Sequence, residues 1–232
     1  MQRFKWPKAL PPLSAEQVVI SDDFMKHWHE VLPRQFGAIE RFNHRYPLRR
    51  LPAARPFRII EIGAGLGEHL EHEDLSIQEY HCIELRENMA AEIKRRFPGT
   101  TVLTADCQVE LPYVAGYFDR AVAIHVLEHL PYLPGAVKEL HRVVRPGGIF
   151  SLVLPCDPGL FYEFCRKLSA ERIFRKRYGQ PYAWFIRREH INSPREIFSV
   201  VSRYFVEMER TYFPFRIPLP NANLCIGATF RR

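Results

Sequence analysis

The chain has 232 residues, 47% hydrophobic and 25% charged with a formal net charge of +7, the proportions of a globular domain large enough to bury a full core. No apolar run approaches the ~20 residues of a membrane span, and the segment from Met1 to Pro7 lacks the apolar stretch of a secretory leader, so neither insertion nor export is expected. The five cysteines are odd in number and scattered, which fits reduced cytoplasmic thiols better than a disulfide framework; with no Cys and His clustered at ligand spacing, no metal is expected.

The first element is helical. Ser14-Ala15-Glu16-Gln17 has the form of a capping box, and Phe24, Trp28, Val31 and Leu32 then recur at helical spacing. Pro33 interrupts, and Phe36, Ile39 and Phe42 carry a second helical stripe towards Pro47. Such aromatic stripes are usually packing faces. Pro47, Pro52 and Pro56 mark the link out of this segment, so residues 1–56 read as an N-terminal helical extension and residues 57–232 as the main domain.

From residue 57 strands and helices alternate. The run Phe57 to Ile62 reads as a buried parallel strand, and Gly63-Ala64-Gly65-Leu66-Gly67 follows it. Glycines at alternate positions let the backbone turn sharply and pass close to a ligand, at the carboxyl end of a first strand where α/β sheets form a nucleotide-sized crevice. The spacing is G-x-G-x-G, which points away from the G-x-G-x-x-G of a dinucleotide site. A second strand, Glu79 to Glu84, ends in a carboxylate able to accept from ribose hydroxyls. The helix Glu87 to Phe97 stops at Pro98-Gly99, and Thr101 to Thr104 is a short third strand ahead of Ala105-Asp106-Cys107. Phe118 to Val126 is a fourth strand running into His125-Val126-Leu127-Glu128-His129-Leu130. A helix from Gly135 to Val144, the turn Arg145-Pro146-Gly147-Gly148 and a fifth strand, Ile149 to Leu154, complete a doubly wound α/β pattern.

Residues 155–190 break the alternation. They are rich in aromatics and cations and read as an insertion over the carboxyl edge of the sheet, on the substrate side. A helix from Ser193 to Phe205 and strands near Val206 to Thr211 and Asn223 to Phe230 close the chain. The positive charge gathers at Arg45, Arg49, Arg50, Arg55 and Arg58, and again at Arg166, Lys167, Arg172, Arg175, Lys176, Arg177, Arg187 and Arg188. Either group reads as a solvated basic surface or as a seat for an anionic substrate, a nucleic acid or an anionic membrane.

Taken in order, the E-x-G-x-G-x-G run, the acidic end of strand two, the A-D pair, L-E-H-L and R-P-G-G resemble the class I S-adenosylmethionine-dependent methyltransferases of the small-molecule branch, types 11 and 12. The resemblance covers about residues 57 to 154 and implies a Rossmann-like doubly wound sheet of seven strands with the last antiparallel. Carried over by position, it implies that Glu61, Gly63, Ala64, Gly65 and Gly67 face the methionine part of the cofactor. Glu84 then holds the ribose, Leu85 and Cys107 lie by the adenine, Asp106 meets the adenine edge, and His125 sits at the cofactor–substrate junction. The cofactor implied is S-adenosyl-L-methionine, with S-adenosyl-L-homocysteine as product.

A sulfonium methyl is already activated, so the protein's task is chiefly to align three atoms, with a general base useful for a hydroxyl acceptor. His125 and His190 are the candidate bases, against the alternative that either is a structural hydrogen-bonding group; Glu128-His129 reads as supporting a helix start or packing structurally. The expected acceptor is a small molecule or glycoconjugate, anionic, such as a hydroxyl or amino group of a nucleotide- or lipid-linked sugar bound by arginines and stacked on aromatics. An RNA methyltransferase is the alternative enzyme, although no N-P-P-Y-like tetrapeptide follows strand four. A non-catalytic cofactor-binding or regulatory subunit is the alternative outside enzymology.

Overall fold

The computed structural model describes residues 4–53 and 55–232, without the side chains of residues 29–34; Met1 to Arg3 and the side chains of Val31 and Leu32 therefore lie outside the described residues. Seven strands form one sheet: β1 (Phe57–Ile62), β2 (Gln78–Glu84), β3 (Thr101–Thr104), β4 (Phe118–Ile124), β5 (Val144–Pro155), β6 (Val206–Phe213) and β7 (Cys225–Arg231). Their order is β3-β2-β1-β4-β5-β7-β6. The first five pair in parallel, and β7 runs antiparallel to both β5 and β6. The order reverses between β1 and β4, so their carboxyl ends flank the crevice where such sheets bind ligands.

Alternation along the strands makes two packed faces. Ile60, Ile62, Ala121, Ala123, Phe150 and Leu152 point to one side, where helices α4 (Leu133–Val143) and α8 (Pro194–Val201) cover them with Val137, Leu140, Ile197 and Val200. The start of α8 is fixed by a capping box between Ser193 and Glu196. On the other side Ile59, Tyr80, Cys82 and Val122 meet Ile93 of α3 (Glu87–Arg96).

No α-helix follows the glycine turn. After Gly67 the chain makes only a 3₁₀ turn, His69–His72, before entering β2. The vacated space on that face is filled by α2 (Gly37–Arg45), whose His44 ring stacks on His69 and His72 at 5.7 and 5.2 Å between centroids. Arg120, fully buried on β4, ties this layer together by donating to Glu73 at 2.7 Å and to the Pro47 carbonyl at 2.9 Å.

The first helix of the chain and the 155–190 insertion build a single helical cap. Helix α1 (Ala15–Gln35) starts at the expected box, with Gln17 N–H donating to Ser14 Oγ and Ser14 N–H to Gln17 Oε1. It runs through Pro33, and the break falls at Phe36. The insertion folds as α5 (Leu160–Leu168), α6 (Ala170–Tyr178) and α7 (Ala183–Glu189). Phe24 of α1 is buried among Phe174, Tyr178, Tyr182 and Phe185, with ring centroids 5.0 to 6.2 Å away. These insertion aromatics are therefore the core of the cap, not a stacking surface for substrate. No helix among the described residues is long and apolar enough to cross a membrane.

Candidate cofactor and acceptor site

At the carboxyl end of β1, Gly63, Gly65 and Gly67 all take positive φ, at 63°, 59° and 80°, which the side chain of an L-residue resists. Gly63 also has no room for a side chain, because a Cβ there would lie 2.4 Å from Cγ2 of Val126. The glycine turn is thus packed directly against the chain leaving β4.

Glu84, at the end of β2, holds that turn in place. It is 6% exposed, and its carboxylate accepts from the Gly65 N–H and the Arg86 N–H, both at 2.9 Å. Each oxygen keeps lone pairs for a further donor, so the group remains available at the crevice. Leu85 beside it is two-thirds exposed, an apolar side chain on the rim. Asp106 accepts from the main-chain and side-chain N–H groups of Gln108, and Cys107 is buried behind it with its thiol pushed up to about 12 by burial. An acidic group over a glycine turn, with an apolar rim and a second carboxylate after β3, fits a ribose and a purine.

Glu61 lies beneath the turn, buried inside β1, and accepts a hydrogen bond from the Tyr80 hydroxyl at 2.8 Å. Burial pushes its carboxyl up to about 8, against the Tyr80 hydrogen bond, so at neutral pH it sits in the core largely protonated.

A second polar cluster stands at the ends of β4 and β5. His125 has φ 50° and points Nδ1 at Glu128 Oε1, 3.2 Å away. Burial opposes charge on this ring, but its contacts with the Cys225 sulfur and the Glu128 carboxylate prevail and push it up to about 10. An imidazole held as a cation donates hydrogen bonds and takes up no proton. Burial would raise Glu128, yet His125, His129 and His190 around it bring it down to about 2. Burial lowers His129, which favours its neutral form.

His190, 65 positions from His125 in the sequence, joins this cluster. Its Nδ1 lies 2.7 Å from Asp157 Oδ2, and its ring is 5.4 Å from that of His129 and 6.1 Å from that of Tyr162. The segment carrying it is stapled to the β4 exit. Ile191 and Asn192 N–H groups donate to the Glu128 carbonyl, and the Asn192 amide donates to the carbonyls of Leu127 and Leu130.

The residues expected from the sequence therefore fall into two adjoining groups, Glu61, Gly63, Ala64, Gly65, Gly67, Glu84, Leu85, Asp106 and Cys107 around the turn, and His125 and His190 at the β4 exit. Sequence reasoning missed Asp157, which its place after a parallel strand could have flagged. Glu128 and His129 lie on the 3₁₀ turn Leu127–His129, and both side chains point into the cluster.

Residues 60–152 match the model of a family described as "Methyltransferase domain". The chain is 26% identical over 112 residues to a 2-methyl-6-phytyl-1,4-hydroquinone methyltransferase of Oryza sativa, covering 45% of this chain and 31% of that one. It is 27% identical over 118 residues to a malonyl-[acyl-carrier protein] O-methyltransferase of Enterobacter lignolyticus, covering 51% of this chain and 47% of the relative. The chain thus spans less than half the length of these relatives. Among solved structures, it is similar to the N-methyltransferase NodS of Bradyrhizobium japonicum in complex with S-adenosyl-L-homocysteine, with a TM-score of 0.57 at 16% identity over 84% of this chain and 86% of that one.

Proposed function

We propose that this chain, a class I S-adenosylmethionine-dependent methyltransferase by its fold and by the match over residues 60–152, transfers a methyl group to an acceptor seated over the β4 and β5 ends. The observation that carries this reading is Glu84, fixed by the Gly65 N–H at the crevice beside β1. Glu84 would accept from the ribose hydroxyls, Asp106 from the adenine edge, and Leu85 and Cys107 would flank the base. The turn Gly63, Ala64, Gly65 and Gly67 would run beneath the methionine part, with Glu61 below it and His125 at its far end.

S-adenosyl-L-methionine supplies a methyl group already activated on a sulfonium. The protein's contribution is then alignment and exclusion of water. The Val126 contact with Gly63 fixes the β4 exit against the cofactor turn, so the His125–Glu128 pair and the His190–Asp157 pair adjoin it as one rigid wall. His125, held as a cation between Glu128 and the Cys225 sulfur, would set positive charge beside an oxygen of the acceptor. His190, turned by Asp157, would present its other nitrogen.

For the acceptor we favour a hydroxyl of a sugar carried on an anionic lipid. Leu160, Phe164 and Leu168 recur every fourth residue on α5 and are 59 to 74% exposed, with Phe215, Ile217 and Leu219 exposed as well. The ring of Phe161 on α5 lies 5.4 Å from that of Phe215, which joins the two groups. Lys167 and Arg216 are exposed beside them, suited to a phosphate at a membrane surface. Tyr162, on the same helix, leads from this patch to His190. A free nucleotide-linked sugar has no use for such a surface. The basic groups also argue against RNA, since Arg49 and Arg50 pair with Glu209, Arg58 with Glu79 and Arg177 with Asp23.

Incubation with tritiated S-adenosylmethionine and three acceptor pools tests the reading. Label entering a chloroform-extractable glycolipid fraction supports it. Label confined to RNA, or to water-soluble nucleotide sugars, overturns the choice of acceptor.

A further inference from the structure

We propose that Glu128, His129 and His190 hold one divalent transition-metal ion, and that the hydroxyl of the acceptor completes its coordination. Each of the three offers a ligand atom, and these atoms lie within 4.8 Å of one another, the one such group of His, Cys, Asp and Glu among the described residues. Two imidazoles and one carboxylate suit Zn²⁺, Mn²⁺, Fe²⁺ or Co²⁺, and three protein ligands leave positions open for a substrate oxygen.

The directions of the groups favour a ligand set over a casual cluster. His190 has its Nδ1 on Asp157 Oδ2 at 2.7 Å, and His129 has its Nδ1 on the Glu189 carbonyl at 2.6 Å. An outer hydrogen bond on Nδ1 fixes the tautomer and leaves Nε2 as the free donor atom, which is how metal-binding histidines are ordinarily oriented. The Nε2 of His129 faces Glu128 Oε1 at 3.9 Å. Glu128 is 1% exposed, and while its Oε1 is taken by His125, its Oε2 has no hydrogen-bond partner. A buried carboxylate oxygen without a donor is costly, and a cation there would satisfy it.

The two segments carrying these ligands are also locked before any ion arrives. The Glu128 carbonyl receives two N–H groups from Ile191 and Asn192, Asn192 bridges to Leu127 and Leu130, and Trp6 Nε1–H holds the Asn192 side chain at 3.2 Å. Such a supporting shell is more than a structural ion pair needs and is what a metal site requires.

The catalytic use of the ion rests on the methyltransferase reading; the binding of the ion does not. In transfer, the acceptor's hydroxyl proton passes to solvent, eased by the ion, its oxygen forms the new O–C bond, and the S–C bond breaks with its electron pair going to sulfur.

The test is titration of the metal-free full chain with Co²⁺, followed by visible absorption, together with Zn²⁺ calorimetry. Saturation at one ion per chain is expected. Glu128→Gln and His190→Ala should each weaken binding by ~100-fold or more, and Asp157→Asn by ~10-fold. His190→Gln replaces His190→Ala if the latter melts without cooperativity. Absence of saturable binding by the wild type, or equal binding by folded Glu128→Gln, overturns the proposal. Saturation with Co²⁺ but no binding of S-adenosylmethionine would keep the metal site and remove the methyltransferase reading. The reverse result would do the opposite.

Discussion

Glu84 joins two tasks in one side chain. It anchors the glycine turn through Gly65 and keeps acceptor oxygens where the ribose would lie. Glu84→Ala should weaken S-adenosylmethionine binding by ~1–3 kcal/mol, the worth of charge-assisted hydrogen bonds, measured by calorimetry at fixed pH. Glu61 makes a different prediction. Its folded-state pKa, about 8, lies above the ~4.3 of an unfolded glutamate, so the folded protein binds the extra proton between these values. Its contribution is greatest below pH ~4.3 and is lost as pH rises to about 8. Denaturant melts across pH 5 to 8 should therefore show stability falling by a few kcal/mol, and Glu61→Gln should flatten that slope. The places of Glu61, Gly63, Gly65, Gly67 and Glu84 on a strand, its turn and the next strand end were legible in the sequence, because each is marked by its own local run of residues. Asp157, Glu189 and the inward aim of Glu128 were not. The His129–Glu189 contact joins positions 60 apart, and only the folded cap brings them together.

Among the elements, the strands were the easiest to read, since a buried parallel strand is marked by its own apolar run. Thr101 to Thr104 agrees with β3 residue for residue. The missing helix after Gly67 was not visible, because what replaces it is α2, far back in the chain. The insertion misled for a related reason. Phe174, Tyr178, Tyr182 and Phe185 read as part of a substrate surface, but Phe24 of α1 packs among them. Phe24→Ala should cost about 3–5 kcal/mol by opening a cavity in the cap, seen as a lowered thermal midpoint. Where α2 meets the sheet, a Cβ on Gly227 would lie 2.5 Å from the Tyr46 ring, which packs flat on β7. Gly227→Ala should cost about 1–3 kcal/mol in the same assay.

At the scale of the whole molecule, the strand order reverses between β1 and β4, and Asp157 and His190, from the two ends of the β5–α8 connection, meet beside His129 at the β4 exit. Seven strands with the last antiparallel were implied by the family resemblance that the chain's motifs carry, whereas the strand order and the packing of α1 against α6 and α7 emerge only in the fold. The exposed apolar face of α5 carries the proposed lipid contact, and its loss should leave cofactor binding intact. Leu160→Ser with Phe164→Ser should reduce binding to anionic vesicles by ~10-fold or more in a sedimentation assay, while leaving cofactor affinity within about twofold.

In the proposed site the Gly63–Gly67 turn and Glu84 bind S-adenosylmethionine, and isothermal titration of the purified chain with that compound decides it. Saturable one-to-one binding, weakened ~10–100-fold by Glu84→Ala without loss of fold, is the expected result. No heat of binding up to millimolar cofactor, or equal binding by Glu84→Ala, would contradict it.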